Sequence, residues 1–171
     1  MTGEERRVTI LNMLKEQQLP LSGTALASHF HVSRQVIVQD IALMRAENHN
    51  IISTNKGYLF RSQESKNNQP MRVFCVRHDT NQVPDEFATV LKLGGHILDV
   101  AVEHELYGQI RVDLLIESAQ DAEEFYGKLL TCRDNPLKVL TDDCHYHTIC
   151  APSEKLLDLI EQALREKGYL V

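Results

Sequence analysis

The sequence lacks any apolar run long enough to cross a membrane, and its first residues, MTGEERRVTILNML, lack the hydrophobic stretch of a signal peptide. Its four cysteines include no CxxC pair, so we expect free thiols in a reducing compartment. Internal repeats and low-complexity tracts are absent too. These absences favour a globular cytoplasmic protein with no membrane segment, and a hydrophobic fraction of 43% is enough for a packed core.

Positive charge is scarce overall, with a net charge of −6, which argues weakly against nucleic acid as a partner. The charge is nevertheless unevenly divided. Residues 1–62 hold seven Lys or Arg and five Asp or Glu, a balance of +2, whereas the remaining residues hold eleven and nineteen, a balance of −8. A mildly basic first third joined to an acidic remainder predicts a small nucleic-acid module attached to a second domain.

A polar stretch, SQESKNNQP at residues 62–70, separates two segments with apolar periodicity. It contains no aliphatic residue and ends in proline, as domain linkers commonly do. We therefore predict an α+β protein of two domains, residues 1–61 and 71–171, joined by this linker.

The first domain is predicted to contain three helices and a β-hairpin. Apolar Val8, Leu11 and Leu14 predict a helix over 4–17, and Ser22 and Ser33 are good N-caps for helices over 23–30 and 34–47. A turn at 55–57, Asn-Lys-Gly, favours a hairpin because Asn and Gly tolerate positive φ. This order predicts a winged helix-turn-helix.

The third helix has the composition of a DNA-reading helix. If its apolar side chains Ile37, Ile41 and Met44 are buried, the opposite face presents Arg and Gln, which bond guanine and adenine edges, and Val, which contacts thymine methyl groups. We predict DNA contacts from Ser33, Arg34, Gln35, Val36 and Gln39, and from Lys56 and Tyr58 on the wing. A protein-interaction module with a solvated polar face is the alternative.

The run LSGTALASHFHVSRQVIVQDIALMRAENHNI resembles the N-terminal module of the biotin-repressor-type helix-turn-helix family. The matching features are the short Ala-Leu-Ala helix, the HVSRQ turn into the third helix and a wing that ends in GY. The resemblance covers roughly residues 6–60, and it implies that this domain binds double-stranded DNA.

The second domain is predicted to have the order β-α-β-β-α-β-α, with an antiparallel sheet and helices on one face. MRVFCVRH predicts the first strand, and LKVLTDDCHYHTICA predicts one long strand or two short ones. Element order leaves both a ferredoxin-like and an HPr-like sheet open.

The segment CHYHTIC carries two histidines, His145 and His147, which share one face of a strand because alternate side chains do. His78 ends the first strand and Glu86 lies in the first turn of the next helix. Three imidazoles and a carboxylate suit zinc, nickel or iron. Such a histidine pair also occurs on solvated strands, so spacing alone leaves both interpretations open. Cys144 and Cys150 point away from the histidine face and are not predicted ligands.

The runs VRHDTNQVPDE, LKLGGHILDVAVEHELYG and DDCHYHTI resemble the 3H (three-histidine) domain over residues 71 to about 168. Together with the helix-turn-helix, the chain is similar to the bacterial niacin-responsive repressors of NAD biosynthesis and niacin uptake. The resemblance implies an HPr-like fold, a divalent metal on His78, Glu86, His145 and His147, and nicotinic acid as co-repressor.

Several expectations concern the effector and the partners. Arg77, Arg111 and the turn with Gly95 and His96 are candidates to bind the nicotinate carboxylate, with a structural role as the alternative for His96. A homodimer is expected because one winged helix reads few base pairs. We expect a regulator and not an enzyme. A metal-dependent enzyme and a purely metal-responsive regulator are the alternatives.

Overall fold

The computed structural model describes residues 1–17, 19–61 and 69–171. Its chain divides into two compact units, Met1–Asn67 and Asn68–Val171. The linker predicted at residues 62–70 lies outside the described residues, apart from Gln69 and Pro70. In the described part of the chain no helix has the length and apolarity that a membrane crossing needs.

The N-terminal unit contains three helices followed by an antiparallel hairpin. The helices are α1 (Gly3–Glu16), α2 (Gly23–Phe30) and α3 (Arg34–Ala46), and the strands are β1 (Ile51–Thr54) and β2 (Gly57–Phe60). Hydroxyl oxygens of Thr2, Ser22 and Ser33 accept backbone N–H groups at the three helix starts, which explains where the helices begin. This is the predicted winged helix-turn-helix order.

The core of this unit differs from the sequence prediction in α1. Ile10 and Leu14 are buried, whereas Val8 is 56% exposed and Leu11 is only partly buried. Steps of three residues drift around a helix with 3.6 residues per turn, and the i, i+4 pair stays closer to one face. The predicted inward face of α3 is confirmed, because Ile37, Ile41 and Met44 are all buried.

Gly57 joins the hairpin to the loop before α2. Its φ is +140°, and a Cβ there would lie 2.3 Å from the backbone oxygen of Leu21. Backbone bonds of 2.8 Å run both ways between Leu21 and Tyr58. The wing is therefore tied to the helical part of the unit at a point that only glycine fits.

The C-terminal unit has the element order predicted for it. Its strands are β3 (Met71–Arg77), β4 (His96–His104), β5 (Gly108–Ile116) and β6 (Cys144–Cys150), and its helices are α4 (Val83–Lys92), α5 (Ala119–Thr131) and α6 (Glu154–Glu166). Short 3-10 helices occupy Thr80–Gln82 and Leu137–Thr141. The 3-10 helix Leu137–Thr141 corrects the prediction of a strand through LKVLT, because this segment forms a turn before β6.

The sheet order is β3-β6-β4-β5, and all three pairings are antiparallel. A ferredoxin-like sheet places its first and third strands side by side, whereas here the first strand, β3, pairs with the fourth, β6, at one edge of the sheet. The structure therefore has the HPr-like arrangement. Residues from all four strands pack with α4 and α6, and with part of α5, in a single core. Gly95 lets the helices approach, since a Cβ there would lie 2.6 Å from Ile160 Cδ1.

Candidate metal centre and DNA-binding surface

His145 and His147 lie on the core side of β6. In the antiparallel register they stand opposite Val76 and Phe74 of β3, which are themselves buried. Directly opposed residues share a face of the sheet, so both imidazoles point toward the helices. The burial of His145 and His147, which are 2% and 3% exposed, excludes the solvated-strand interpretation of CHYHTIC.

His78 and Glu86 lie close to His145 and His147, at the end of β3 and in the first turn of α4. His78 follows the last residue of β3, and the 3-10 helix Thr80–Gln82 turns the chain so that the first turn of α4 comes back over the strand end. Nε2 of His78 lies 2.8 Å from Oε2 of Glu86, and Nε2 of His147 lies 3.7 Å from Oε1. The ring centroids of His145 are 4.9 Å from those of both His78 and His147.

The three imidazoles are oriented by the same kind of bond. Each Nδ1 lies within hydrogen-bond distance of a backbone carbonyl: His78 to Asp79 at 2.9 Å, His145 to Asp143 at 2.8 Å and His147 to Asp99 at 2.6 Å. A carbonyl only accepts, so Nδ1 carries the proton in each ring. The neutral ring then has its lone pair on Nε2, as a metal ligand requires.

Several buried polar atoms of this cluster have no hydrogen-bond partner among the described residues. They are Nε2 of His78 and both carboxylate oxygens of Glu86, a side chain that is 1% exposed. Ligand atoms of His78, Glu86 and His145 all lie within 4.8 Å of one another. Buried polar atoms without partners are costly, and a cation bound between them would satisfy them. The donor set of imidazole nitrogens and one carboxylate fits a divalent transition metal.

The electrostatics of the cluster favour a bound cation. Burial would raise the pKa of Glu86, but the neighbouring imidazoles of His147 and His78 outweigh it, and the pKa lies below its ordinary value. Burial, reinforced by His147, lowers the pKa of His145 to about 4. Near neutral pH the site therefore offers a charged carboxylate and an uncharged imidazole at His145.

The predicted effector residues are not all placed beside this cluster. His96 stands opposite Cys150 on β6, five residues along the strand from His145, and Gly95 packs against Val90 and Ile160. Arg77 is exposed and lies opposite Cys144. Arg111 is half-exposed, and its guanidinium pairs with the buried carboxylate of Asp99, the residue whose carbonyl orients His147. Arg111 is thus connected to the histidine cluster through Asp99.

The DNA-reading surface predicted on α3 is exposed in the N-terminal unit. Side chains of Arg34, Gln35 and Gln39 are exposed, and Val36 is half-buried. Ser33 is exposed as well, while its Oγ accepts the backbone N–H of Val36 at 3.3 Å. An exposed helix face with guanidinium and amide groups has the chemistry needed to read base edges in a major groove.

The wing residues are placed differently from each other. Lys56 lies half-buried in the hairpin turn, where its backbone N–H bonds Thr54 Oγ1. Tyr58 is 8% exposed and belongs to the core, with its ring against Gly23. The prediction that Tyr58 reaches outward to phosphate is therefore corrected, because alternation along β2 turns its side chain inward.

Three contributions to these sites were missed in the sequence. The carbonyls of Asp79, Asp99 and Asp143 orient the imidazoles, and backbone atoms leave no signal in a side-chain pattern. Lys138 is buried beside the cluster, with Nζ 2.7 Å from the His78 carbonyl. Asp40 on α3 is also buried, and Arg6 and Arg7 of α1 lie 2.6 and 3.6 Å from its carboxylate oxygens.

Comparison with known proteins agrees with both resemblances. A model of the 3H domain family matches residues 71–171, and a model of a helix-turn-helix domain family matches residues 6–59. The chain is 36% identical over 168 residues to a probable transcription repressor NiaR of Thermotoga maritima, covering 98% of this chain and 94% of that protein. It is 35% identical over 172 residues to the transcription repressor NadR of Bacillus subtilis, covering 100% of this chain and 96% of that protein. The chain thus belongs to the family of transcription repressors that join an N-terminal helix-turn-helix domain to a C-terminal 3H domain.

Proposed function

We propose that this chain is a cytoplasmic, DNA-binding repressor of NAD-biosynthesis and niacin-uptake genes, and that its 3H domain binds a divalent metal and nicotinic acid as co-repressor. The observation that carries the metal site is the shared orientation of three imidazoles. Each Nδ1–H donates to a carbonyl, which leaves the Nε2 lone pair facing a buried carboxylate that has no hydrogen-bond partner in the described part of the chain. A core packed only for stability has no need of such a set.

His78, His145, His147 and Glu86 would hold the metal, with nickel, zinc and iron as the candidates. The metal would supply a Lewis-acid position to which the pyridine nitrogen of nicotinic acid, an imidazole-like donor, can bind. The chain itself orients the nitrogens, keeps bulk water away by burying all four side chains, and provides one negative charge against the cation.

The carboxylate of nicotinic acid distinguishes it from nicotinamide, which has no charge there. A cationic side chain near the site would therefore favour the acid over the amide. Arg111 is the candidate with a connection to the cluster, through Asp99, and Arg77 is the second candidate. The identity of the ligand rests on the family resemblance.

Regulation requires that nicotinic acid binds the DNA-competent form more tightly than the other form. By linkage, operator DNA then tightens nicotinic acid binding by the same factor. The repressor is expected to act as a homodimer, because two recognition helices must meet half-sites about one helical turn apart.

The experiment is operator binding by the full chain to a promoter fragment from a niacin-related gene. Nicotinic acid and nicotinamide are each titrated with metal-loaded and chelator-treated protein, after the bound metal has been measured. The proposal expects that nicotinic acid alone tightens DNA binding and that chelation abolishes this effect. His145→Ala should lose both metal and nicotinic acid while keeping its circular dichroism spectrum.

Two other outcomes would replace the proposal. If DNA affinity follows the metal and ignores both pyridines, the protein is a metal-responsive regulator. If the metal-loaded protein hydrolyses a nicotinic acid ester or nicotinamide with turnover, the centre is catalytic. Retained nicotinic acid affinity in His145→Ala would also overturn the metal-dependent mode of binding.

A further inference from the structure

Lys138 is a buried lysine that the proposed function leaves unused. It lies in the 3-10 helix Leu137–Thr141 and is 5% exposed. Its Nζ donates to the backbone carbonyl of His78 at 2.7 Å and lies 3.0 Å from Oδ1 of Asp143. Lysine is rarely buried, because desolvating its ammonium group is costly, so its partners indicate what it does.

One partner of Lys138 is a proposed metal ligand, and the other is bonded to one. His78 is a ligand itself, at the end of β3. Asp143 precedes β6, and its own carbonyl accepts the Nδ1–H of His145 at 2.8 Å. The ammonium group therefore connects the backbone of one ligand with the residue that orients another. Its two contacts join the end of β3 to the start of β6.

The turn that carries Asp143 is held in a strained conformation. Asp142 and Asp143 have φ of +54° and +60°, two consecutive left-handed residues of which neither is glycine. Aspartate tolerates this region better than most residues but still at a cost. The backbone N–H of Asp143 donates to the Lys138 carbonyl at 2.9 Å. Lys138 thus binds this turn through both its main chain and its side chain.

We propose that Lys138 is a positioning residue of the metal centre: it holds His78 and the Asp143–His145 turn at the spacing at which the two imidazoles converge on Glu86. This inference rests on the proposed metal site. Without the ammonium group, the Asp143 carboxylate loses its partner and the turn can relax. The Asp143 carbonyl that bonds Nδ1 of His145 then shifts, and the imidazole shifts with it. The expected consequence is a metal site with the same ligands and poorer geometry.

The positive charge of Lys138 makes this role distinguishable from simple electrostatics. An ammonium group near the site repels a bound cation, so charge alone predicts tighter metal binding when Lys138 is replaced by methionine. Positioning predicts weaker binding from the same substitution. If Lys138 only stabilises the fold, the substitution should lower thermal stability and leave metal affinity unchanged. The three roles therefore predict three different results.

The test uses the full chain with cobalt(II) and zinc(II) as probes, titrated in competition with a chromophoric chelator. The variants are Lys138→Met, Asp143→Asn and their combination, and Lys155→Met on the exposed side of α6 is the matched control. Asn keeps the tolerance for left-handed backbone and removes the charge that pairs with Lys138. Visible absorption of the cobalt(II) protein reports coordination geometry, and thermal unfolding of metal-free protein reports stability.

Lys138→Met is expected to lower metal affinity about 10- to 100-fold, the usual effect of losing a residue that orients ligands, and to change the cobalt(II) spectrum. The double variant should lose no more than Lys138→Met alone, since the two residues act through one contact. Unchanged or tighter affinity with an unaltered spectrum in both single variants overturns the positioning role. If Lys138→Met does not fold, the cobalt(II) spectrum of Asp143→Asn decides, because losing a nearby negative charge weakens metal binding without changing the coordination geometry. Wild-type protein that binds neither metal refutes the metal site itself, a separate result.

Discussion

Nε2 of His78 and Oε2 of Glu86 lie 2.8 Å apart with both side chains about 1% exposed, and neither atom has a hydrogen-bond partner among the residues that the structure describes. Burial lowers the pKa of His78, but the Glu86 carboxylate outweighs it and leaves that pKa above its ordinary value. Without a metal, the carboxylate therefore favours a proton on the imidazole of His78, and a bound cation would have to displace that proton.

Substituting Glu86→Gln tests the carboxylate of this pair. The amide keeps the size of the side chain and removes the charge that favours a cation, so metal affinity should fall about 10-fold or more. Chelator competition with zinc(II) measures it. Glu105→Gln, an exposed residue in the turn between β4 and β5, is the control and should bind metal as wild type does. Equal affinities in the two variants would exclude Glu86 as a ligand.

Arg111 has a structural role that operates without any ligand. Its guanidinium pairs with Asp99, a carboxylate that is 1% exposed and whose Oδ1 accepts the Thr148 N–H at 2.9 Å. Arg111→Ala should lower the free energy of unfolding of the C-terminal unit by about 1–3 kcal/mol, because Asp99 keeps its charge and loses its counter-charge. Differential scanning calorimetry of metal-free protein measures this loss.

The companion variant Asp99→Asn removes the charge that Arg111 neutralises. In the double variant the two losses should not add, because each single change breaks the same pair. Additive losses would show that the ion pair contributes nothing. A nicotinic acid affinity that falls in Arg111→Ala and stays normal in Asp99→Asn would assign Arg111 to the ligand.

Asp40 joins α3 to α1 in the N-terminal unit. Its buried carboxylate lies 2.6 Å from Nε of Arg6, whose side chain is 14% exposed. Asp40→Ala should cost about 3 kcal/mol, the lower end of the loss when a buried pair loses one partner. Hydrogen exchange of amides in α1 and α3 measures it within this unit. Glu47→Ala, at a largely exposed position, should leave the exchange rates unchanged.

The exposed amides of α3 are predicted to carry operator specificity. Gln35→Ala and Gln39→Ala should each weaken operator binding by about 1–3 kcal/mol and leave non-specific binding nearly unchanged, since an uncharged amide can read a base edge but does not neutralise phosphate charge. Fluorescence anisotropy with operator and scrambled duplexes measures both quantities. Asn12→Ala on the exposed face of α1 is the control. An equal loss on both duplexes would contradict base reading.

Local signals in the sequence were enough to predict most elements. Ser22 and Ser33, which were predicted as N-caps, each mark a helix start in the structure. Alternation in CHYHTIC placed His145 and His147 on one face. Prediction failed where local signals conflict. LKVLT contains strand-forming residues, but in the structure it is a 3-10 helix, and the left-handed residues Asp142 and Asp143 then lead the chain into β6.

The sequence by itself determined the order of helices and strands and the residue types able to bind a metal, because these depend on spacing and side-chain chemistry along the chain. Only the tertiary structure decided the sheet order that brings His78 next to β6, the inward direction of Tyr58, and the burial of Lys138 and Asp40. Those features depend on contacts between residues that are distant in the chain. The orientation of the three imidazoles depends on backbone carbonyls, which are the same in every residue and so leave no trace in the sequence.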